Sequence, residues 1–165
     1  MFMRKAKCCF TGHRIMSAEE KRRVFKRIME LVTDLEKYGV YEYYTGGAIG
    51  FDYVAAMAVI EVRKKMPHIC LELCIPCLDH DAKWSESDRR DFERLKMECD
   101  RITYVSEEPY FDGCMQKRNR ALVDTCGICI AYCKNPRSGT GATLRYAIQK
   151  ESRIYNLAEE RDCCL

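Results

Sequence analysis

Short apolar runs alternate with stretches of helical apolar spacing along the whole chain, and this alternation constrains the fold more than any other feature. Residues 6–10, 41–45, 69–75, 102–105, 127–132 and 153–157 read as strands. Between them, Val24, Ile28, Leu31, Val32 and Leu35 form a one-sided helical stripe. Phe51, Val54, Ala55, Ala58, Val59 and Val62 form a second, with small residues suited to close packing on a sheet. Residues 86–99 spell a charged helix with Phe92 and Leu95 inward. Residues 114–125 and 140–150 are the remaining helices, the last packing through Leu144, Ala147 and Ile148. Ser17-Ala18-Glu19-Glu20 has the form of a capping box, in which hydroxyl and carboxylate satisfy orphan N–H groups reciprocally. Strands separated by helices pair in parallel, because a parallel connection needs a crossover long enough to hold a helix. The expected fold is α/β, a three-layer sandwich with a mostly parallel sheet and helices on both faces.

A length of 165 residues suits one domain, here 1–165, with 158–165 expected as a frayed tail. A net charge of +3 is too small to argue for nucleic acid. No apolar run approaches the roughly 18 residues of a membrane helix. The basic start is followed too soon by Gly12-His13-Arg14 to form a signal peptide, so a cytoplasmic location without membrane contact is expected. Twelve cysteines in such a chain read as reduced thiols, several at strand positions that want a small apolar side chain. Cys70, Cys74 and Cys77 match an iron–sulfur spacing, but two of them fall inside a strand; Cys126 and Cys129 have a CxxC spacing, but Cys129 lies in a strand and no second CxxC or paired His completes a zinc site. Neither a metal nor a resident cofactor is expected.

Parallel sheets bind ligands beyond the carboxyl ends of their strands, and three loops there carry the candidate residues. Thr11-Gly12-His13-Arg14 offers a hydroxyl, an imidazole and a guanidinium. Thr45-Gly46-Gly47-Ala48-Ile49-Gly50-Phe51-Asp52 is a glycine cluster between strand and helix. Ser138-Gly139-Thr140-Gly141 is a second glycine–hydroxyl cradle at a helix start. Glycines let backbone N–H groups approach an anion, and the helix adds its positive end. The bland alternative is a tight turn with glycines for sterics only. Met115, Arg118, Asn119 and Leu122 share one helical face, which draws Arg118 and Asn119 inward. Arg118 then either reaches a phosphate with its bidentate fork or pairs with an internal carboxylate such as Asp52 or Asp124. Asp52 reads as a helix-start charge or a ligand hydroxyl contact, and His13 as a loop hydrogen-bonder or a general acid–base.

Cys9-Phe10-Thr11-Gly12-His13-Arg14, Thr45 to Asp52, Trp84, Met115-Gln116-Lys117-Arg118-Asn119-Arg120 and Ser138-Gly139-Thr140 together resemble the SLOG (SMF/DprA-LOG) superfamily, in its YpsA-like branch. The resemblance spans nearly the whole chain. It implies a Rossmann-like sheet and a pocket for a nucleotide or nucleotide-derived ligand, lined by Gly12, Arg14, Gly46, Gly47, Gly50, Asp52, Arg118, Asn119, Gly139 and Thr140. The related LOG enzymes cleave the N-glycosidic bond of cytokinin nucleotides and carry Pro-Gly-Gly-x-Gly-Thr followed by a catalytic Glu. Here Ser138 replaces a glycine and no Glu follows Thr140. A ligand sensor or binding protein is therefore expected ahead of an N-glycosidase or phosphoribohydrolase. A single-stranded nucleic-acid binder, by kinship with the SMF/DprA branch, is the third reading, against which the modest charge argues. A homodimer is expected by family analogy.

Overall fold

The computed structural model describes Arg4 and residues 6–159, so most of the expected frayed tail and of the basic N-terminal stretch lies outside the described residues. The chain alternates throughout: β1 (Lys7–Gly12), α1 (Ala18–Glu36), β2 (Glu42–Thr45), α2 (Phe51–Arg63), β3 (Cys70–Ile75), α3 (Glu86–Glu98), β4 (Arg101–Tyr104), α4 (Cys114–Thr125), β5 (Ile128–Tyr132), α5 (Gly139–Gln149) and β6 (Arg153–Asn156). The six strands form one sheet in the order β4-β3-β2-β1-β5-β6, and every pairing is parallel. The parallel α/β fold expected from the alternation, Rossmann-like as the resemblance implies, is the fold observed. After β4 the chain crosses back to lay β5 beside β1, so the strand order reverses there, and a crevice opens at such a point in an open parallel sheet.

The period-two pleat sorts the side chains of each strand into two cores. Cys8 and Phe10 of β1 join Tyr43, Leu71, Leu73 and Ile130 under α1, α2 and α3. Cys9 and Cys129 join Leu122, Val123, Cys126 and Ala147 under α4 and α5. Cysteine is the small apolar filler of this second, thinner core. Burial pushes the Cys8 and Cys126 thiols up, which keeps them protonated and unreactive. Among the described residues every cysteine is free, and no group of three or more His, Cys, Asp or Glu is placed to hold a metal ion. No helix among the described residues is long and apolar enough to cross a membrane.

Three local expectations are corrected. Strand β1 runs on to Gly12, because Thr11 and Gly12 pair with Ala131 and Tyr132, so Thr11 is a strand residue and not a loop residue. Helix α5 packs through Thr140, Thr143 and Ala147 and leaves Ile148 65% exposed. Helical spacing set its buried face there, against the apolar identity of Ile148. The nearly continuous apolar run from Ile69 to Ile75 reads as a strand covered on both faces, but strand β3 is not covered on both. Its Glu72 accepts hydrogen bonds from Arg101 Nε (3.0 Å) and Thr103 Oγ1 (2.7 Å) on a polar, open stretch of sheet beside the exposed edge strand β4.

Candidate functional site: a cleft over the carboxyl ends of the strands

Two loops at the carboxyl end are held together by one carboxylate and one imidazole. Glu20 closes the capping box by accepting the Ser17 N–H (2.7 Å), and it also accepts the Tyr132 hydroxyl (2.7 Å) and the Lys134 ammonium. The Lys134 hydrogen bond, ahead of the other two, holds the Glu20 carboxyl at about 2. His13 Nε2 accepts the Lys134 N–H at 2.8 Å, and burial with the Lys134 charge nearby lowers its affinity for a proton. His13 is thereby a neutral loop hydrogen-bonder, and the β1–α1 and β5–α5 loops are joined into one wall.

The glycine floor is filled from within. A Cβ at Gly12 would lie 2.3 Å from the Phe51 ring. At Gly47 it would lie 2.5 Å from Leu73, at Gly50 2.2 Å from the Arg14 carbonyl, and at Gly141 2.1 Å from the Pro136 carbonyl. These residues are glycine because the protein's own atoms press on them. Gly47 and Gly50 also have positive φ, of 64° and 87°. Gly139 alone of the candidate loop glycines has open space beside it. Ser138 caps α5, accepting the Gly141 N–H at 3.1 Å and donating to the Asn135 carbonyl at 2.7 Å. Thr140 is buried on the inward face of α5, and Asn119 donates to Thr143 across the α4–α5 contact at 3.1 Å.

Arg118 covers Gly46, where a Cβ would come within 1.4 Å of Nη1. The guanidinium is buried, as is Asp52 at the start of α2, and the two approach to 4.0 Å, too far for a hydrogen bond. Of the two carboxylates the sequence offered, the partner is Asp52. Asp124 instead meets Lys150 and the Tyr146 hydroxyl. Burial pushes the Asp52 carboxyl up to about 6 against the pull of Arg118 and a hydrogen bond from the Ala48 backbone, and burial lowers Arg118.

One turn before Arg118 on α4, Met115 lines a cleft of about 780 Å3. Its walls are Arg14 from the β1–α1 loop, Ile49 from the β2–α2 loop, the β3–α3 loop from Asp79 to Ser85, and Tyr110 from the β4–α4 loop. His80 packs edge-on against Trp84 (4.9 Å, 68°) and Phe92 (5.7 Å, 67°). Burial, followed by the charges of Arg118 and Arg14, pushes His80 down to about 3, so its ring is neutral at physiological pH. Among the described residues, the buried side-chain nitrogens and oxygens without a hydrogen-bond partner are Asp52 Oδ1, His80 Nε2, and Arg118 Nε and Nη1. A smaller cleft of about 340 Å3 between α4 and α5 holds Asn119 and Gly139, and it shares Met115 with the first.

Of the residues singled out in the sequence, Arg14 lines the larger cleft, Asn119 and Gly139 the smaller, and Arg118 and Asp52 form a buried pair beside them. Tyr110 escaped the sequence reading, and Asp79 and His80 carry there only a weak signal, as a candidate metal-ligand cluster with Asp81. Trp84 was marked only through the resemblance. The usable signal was a lone tryptophan in a polar loop after a parallel strand.

Comparison with known proteins agrees with this architecture. YoqJ, an uncharacterized SPbeta prophage-derived protein of Bacillus subtilis, is 32% identical over 131 residues, covering 73% of this chain and 75% of that protein. A UPF0398 protein of Halalkalibacterium halodurans is 24% identical over 131 residues, covering 78% and 69%. The X-ray structure of DNA processing protein A (DprA) from Streptococcus pneumoniae superposes with a TM-score of 0.71 at 20% identity, over 93% of this chain and 50% of that one. DprA from Helicobacter pylori, whose structure concerns its single-stranded DNA binding mode, superposes with a TM-score of 0.66 at 17% identity, over 94% and 66%. The chain thus spans half to about two thirds of these DprA chains, and the likeness to them is one of fold. A family model described as the YspA SLOG family matches residues 9–158, and the chain belongs to that family.

Proposed function

We propose that the protein binds a nucleotide or nucleotide-derived ligand in the larger cleft, as a sensor or ligand-binding protein. The observation that carries this reading is the clustering of unpartnered buried polar atoms. Asp52, His80 and Arg118 hold every such atom among the described residues, and burial first, then the Arg118 charge, lowers the His80 pKa. Folded proteins pair their buried polar groups, so a cluster of orphans beside a cleft marks a site completed by something else. Trp84 and Tyr110 supply aromatic surface for a base, and Arg14 a guanidinium for a phosphate.

The test is a thermal-shift screen with AMP, nucleoside 5′-monophosphates, ADP-ribose, NAD and cyclic dinucleotides, on wild type and Trp84→Ala. A ligand that binds only the folded state raises stability by mass action. A shift in wild type that is lost in the variant is expected, and no shift with any compound would contradict the reading.

A second reading is single-stranded nucleic acid, favoured by the DprA-like fold and by the exposed Arg14, Lys83, Lys134 and Arg137 at the carboxyl end of the sheet. It predicts oligodeoxythymidylate binding that weakens steeply with salt. Binding that AMP competes away would join the two readings in one cleft.

A further inference from the structure

The position of the phosphate is what the cleft's construction constrains most. A Cβ at Gly12, Gly46, Gly47 or Gly50 would meet Phe51, Arg118, Leu73 with Phe92, or the Arg14 backbone, so internal packing already accounts for these glycines without a phosphate. Arg118 is not a free phosphate clamp either. Asp52 stands 4.0 Å from its Nη1 and would repel an anion brought to that nitrogen. The cleft itself is lined by two cations, Arg14 and Lys83, and two acids, Asp79 and Asp88, so it offers no net attraction for a phosphate deep inside. What the interior does offer is uncharged: a buried imidazole nitrogen without a partner, His80 Nε2, on a ring packed edge-on against the Trp84 indole, with Tyr110 elsewhere on the cleft wall. Arg14 and Lys83 are exposed.

Resting on the nucleotide-binding reading above, we infer that the ligand enters base-first: a nucleobase lodges against Trp84 and hydrogen-bonds His80 Nε2, while its phosphates stay outside at Arg14 and Lys83. The orientation is the reverse of a glycine-loop phosphate site. Recognition belongs to the nucleoside, and the phosphate adds an exposed, salt-screened contact. Ligands extended beyond the 5′ phosphate fit equally, because that end faces solvent. His80 acts here as a specificity residue, reading the edge of the base by a hydrogen bond from a neutral ring.

Isothermal titration tests this with adenosine, guanosine, cytidine and uridine, their 5′-monophosphates, and ribose 5-phosphate, at about 50 and 500 mM salt. At least one nucleoside is expected to bind within about tenfold of its monophosphate, with the gap closing at high salt. His80→Ala and Trp84→Ala are expected to weaken nucleoside and nucleotide alike by tenfold or more. Arg14→Ala removes only the increment due to phosphate. Circular dichroism melts of each variant separate lost contacts from lost folding, and His80→Gln, which keeps a hydrogen-bonding group, should recover part of the affinity. If ribose 5-phosphate binds as well as the nucleotides while no nucleoside binds, the base-first orientation is overturned and the nucleotide reading stands. Nucleoside binding indifferent to His80 overturns it too. If nothing in the series binds, both fall.

Discussion

Asp52 sets a pH-dependent cost inside the fold. Its carboxyl is raised from 3.8 to about 6, with burial as the chief cause, so the folded chain holds this proton where the unfolded chain has released it. For a raised carboxyl, stability falls as pH rises from about 3.8 to about 6, and the full cost applies above that, on the order of 3 kcal/mol. Asp52→Asn removes the titration. The stability difference between wild type and variant, followed by urea unfolding from pH 4 to 8, is expected to drift toward the variant across that window. A flat difference would show that Asp52 is not buried as described. Arg118 has the complementary dependence on its partner. Arg118→Met leaves a buried carboxylate uncompensated and is expected to cost about 3 kcal/mol or more at pH 8, and less at pH 5 where Asp52 takes up a proton. The same comparison of urea curves at the two pH values checks it.

At the level of elements, glycine requirements separate turns built by internal packing from a turn with room to spare. Gly50→Ala forces a side chain into positive φ and onto the Arg14 carbonyl, and is expected to destabilise by about 2 kcal/mol or more. Gly139→Ala meets nothing and falls in the first turn of α5, so its melting temperature should match or exceed wild type. Equal losses at both positions would contradict the packing described. Ser17→Ala is expected to cost about 1 kcal/mol through the capping box, measurable by the same denaturation curves. Elements such as the α1 cap and the α4 span from Cys114 to Thr125 were legible in the sequence because their signals are local: a Ser-x-x-Glu box and a 3.6-residue stripe. The inward face of α5 was not, since two threonines carry it. The occupants of the glycine loops were not legible either, because Phe51, Leu73, Phe92 and Arg118 reach those glycines from elements far apart in sequence.

For the whole molecule, the parallel sheet explains why the site lies where it does. Helices pack on the faces of the sheet, leaving β4 and part of β3 open, and the carboxyl ends are left to the loops, where five separate segments meet around one cleft. The parallel pairing of the strands followed from alternation. The cleft's inner surface did not, because Asp79, His80, Trp84 and Tyr110 come together only when the β3–α3 and β4–α4 loops are tied by Leu78 N–H to Glu108 O (3.0 Å) and Tyr110 N–H to Asp79 Oδ1 (2.5 Å). The central claim is that this cleft holds a nucleotide. Its most direct test is the melting temperature of wild type and Trp84→Ala with the nucleoside 5′-monophosphates at increasing concentration. At about 100 times the dissociation constant, binding adds about 2.7 kcal/mol, which raises the wild-type melting temperature by roughly 5–10 °C. The account predicts that rise for at least one nucleotide and its loss in Trp84→Ala. No rise in wild type, or an equal rise in the variant, would contradict it.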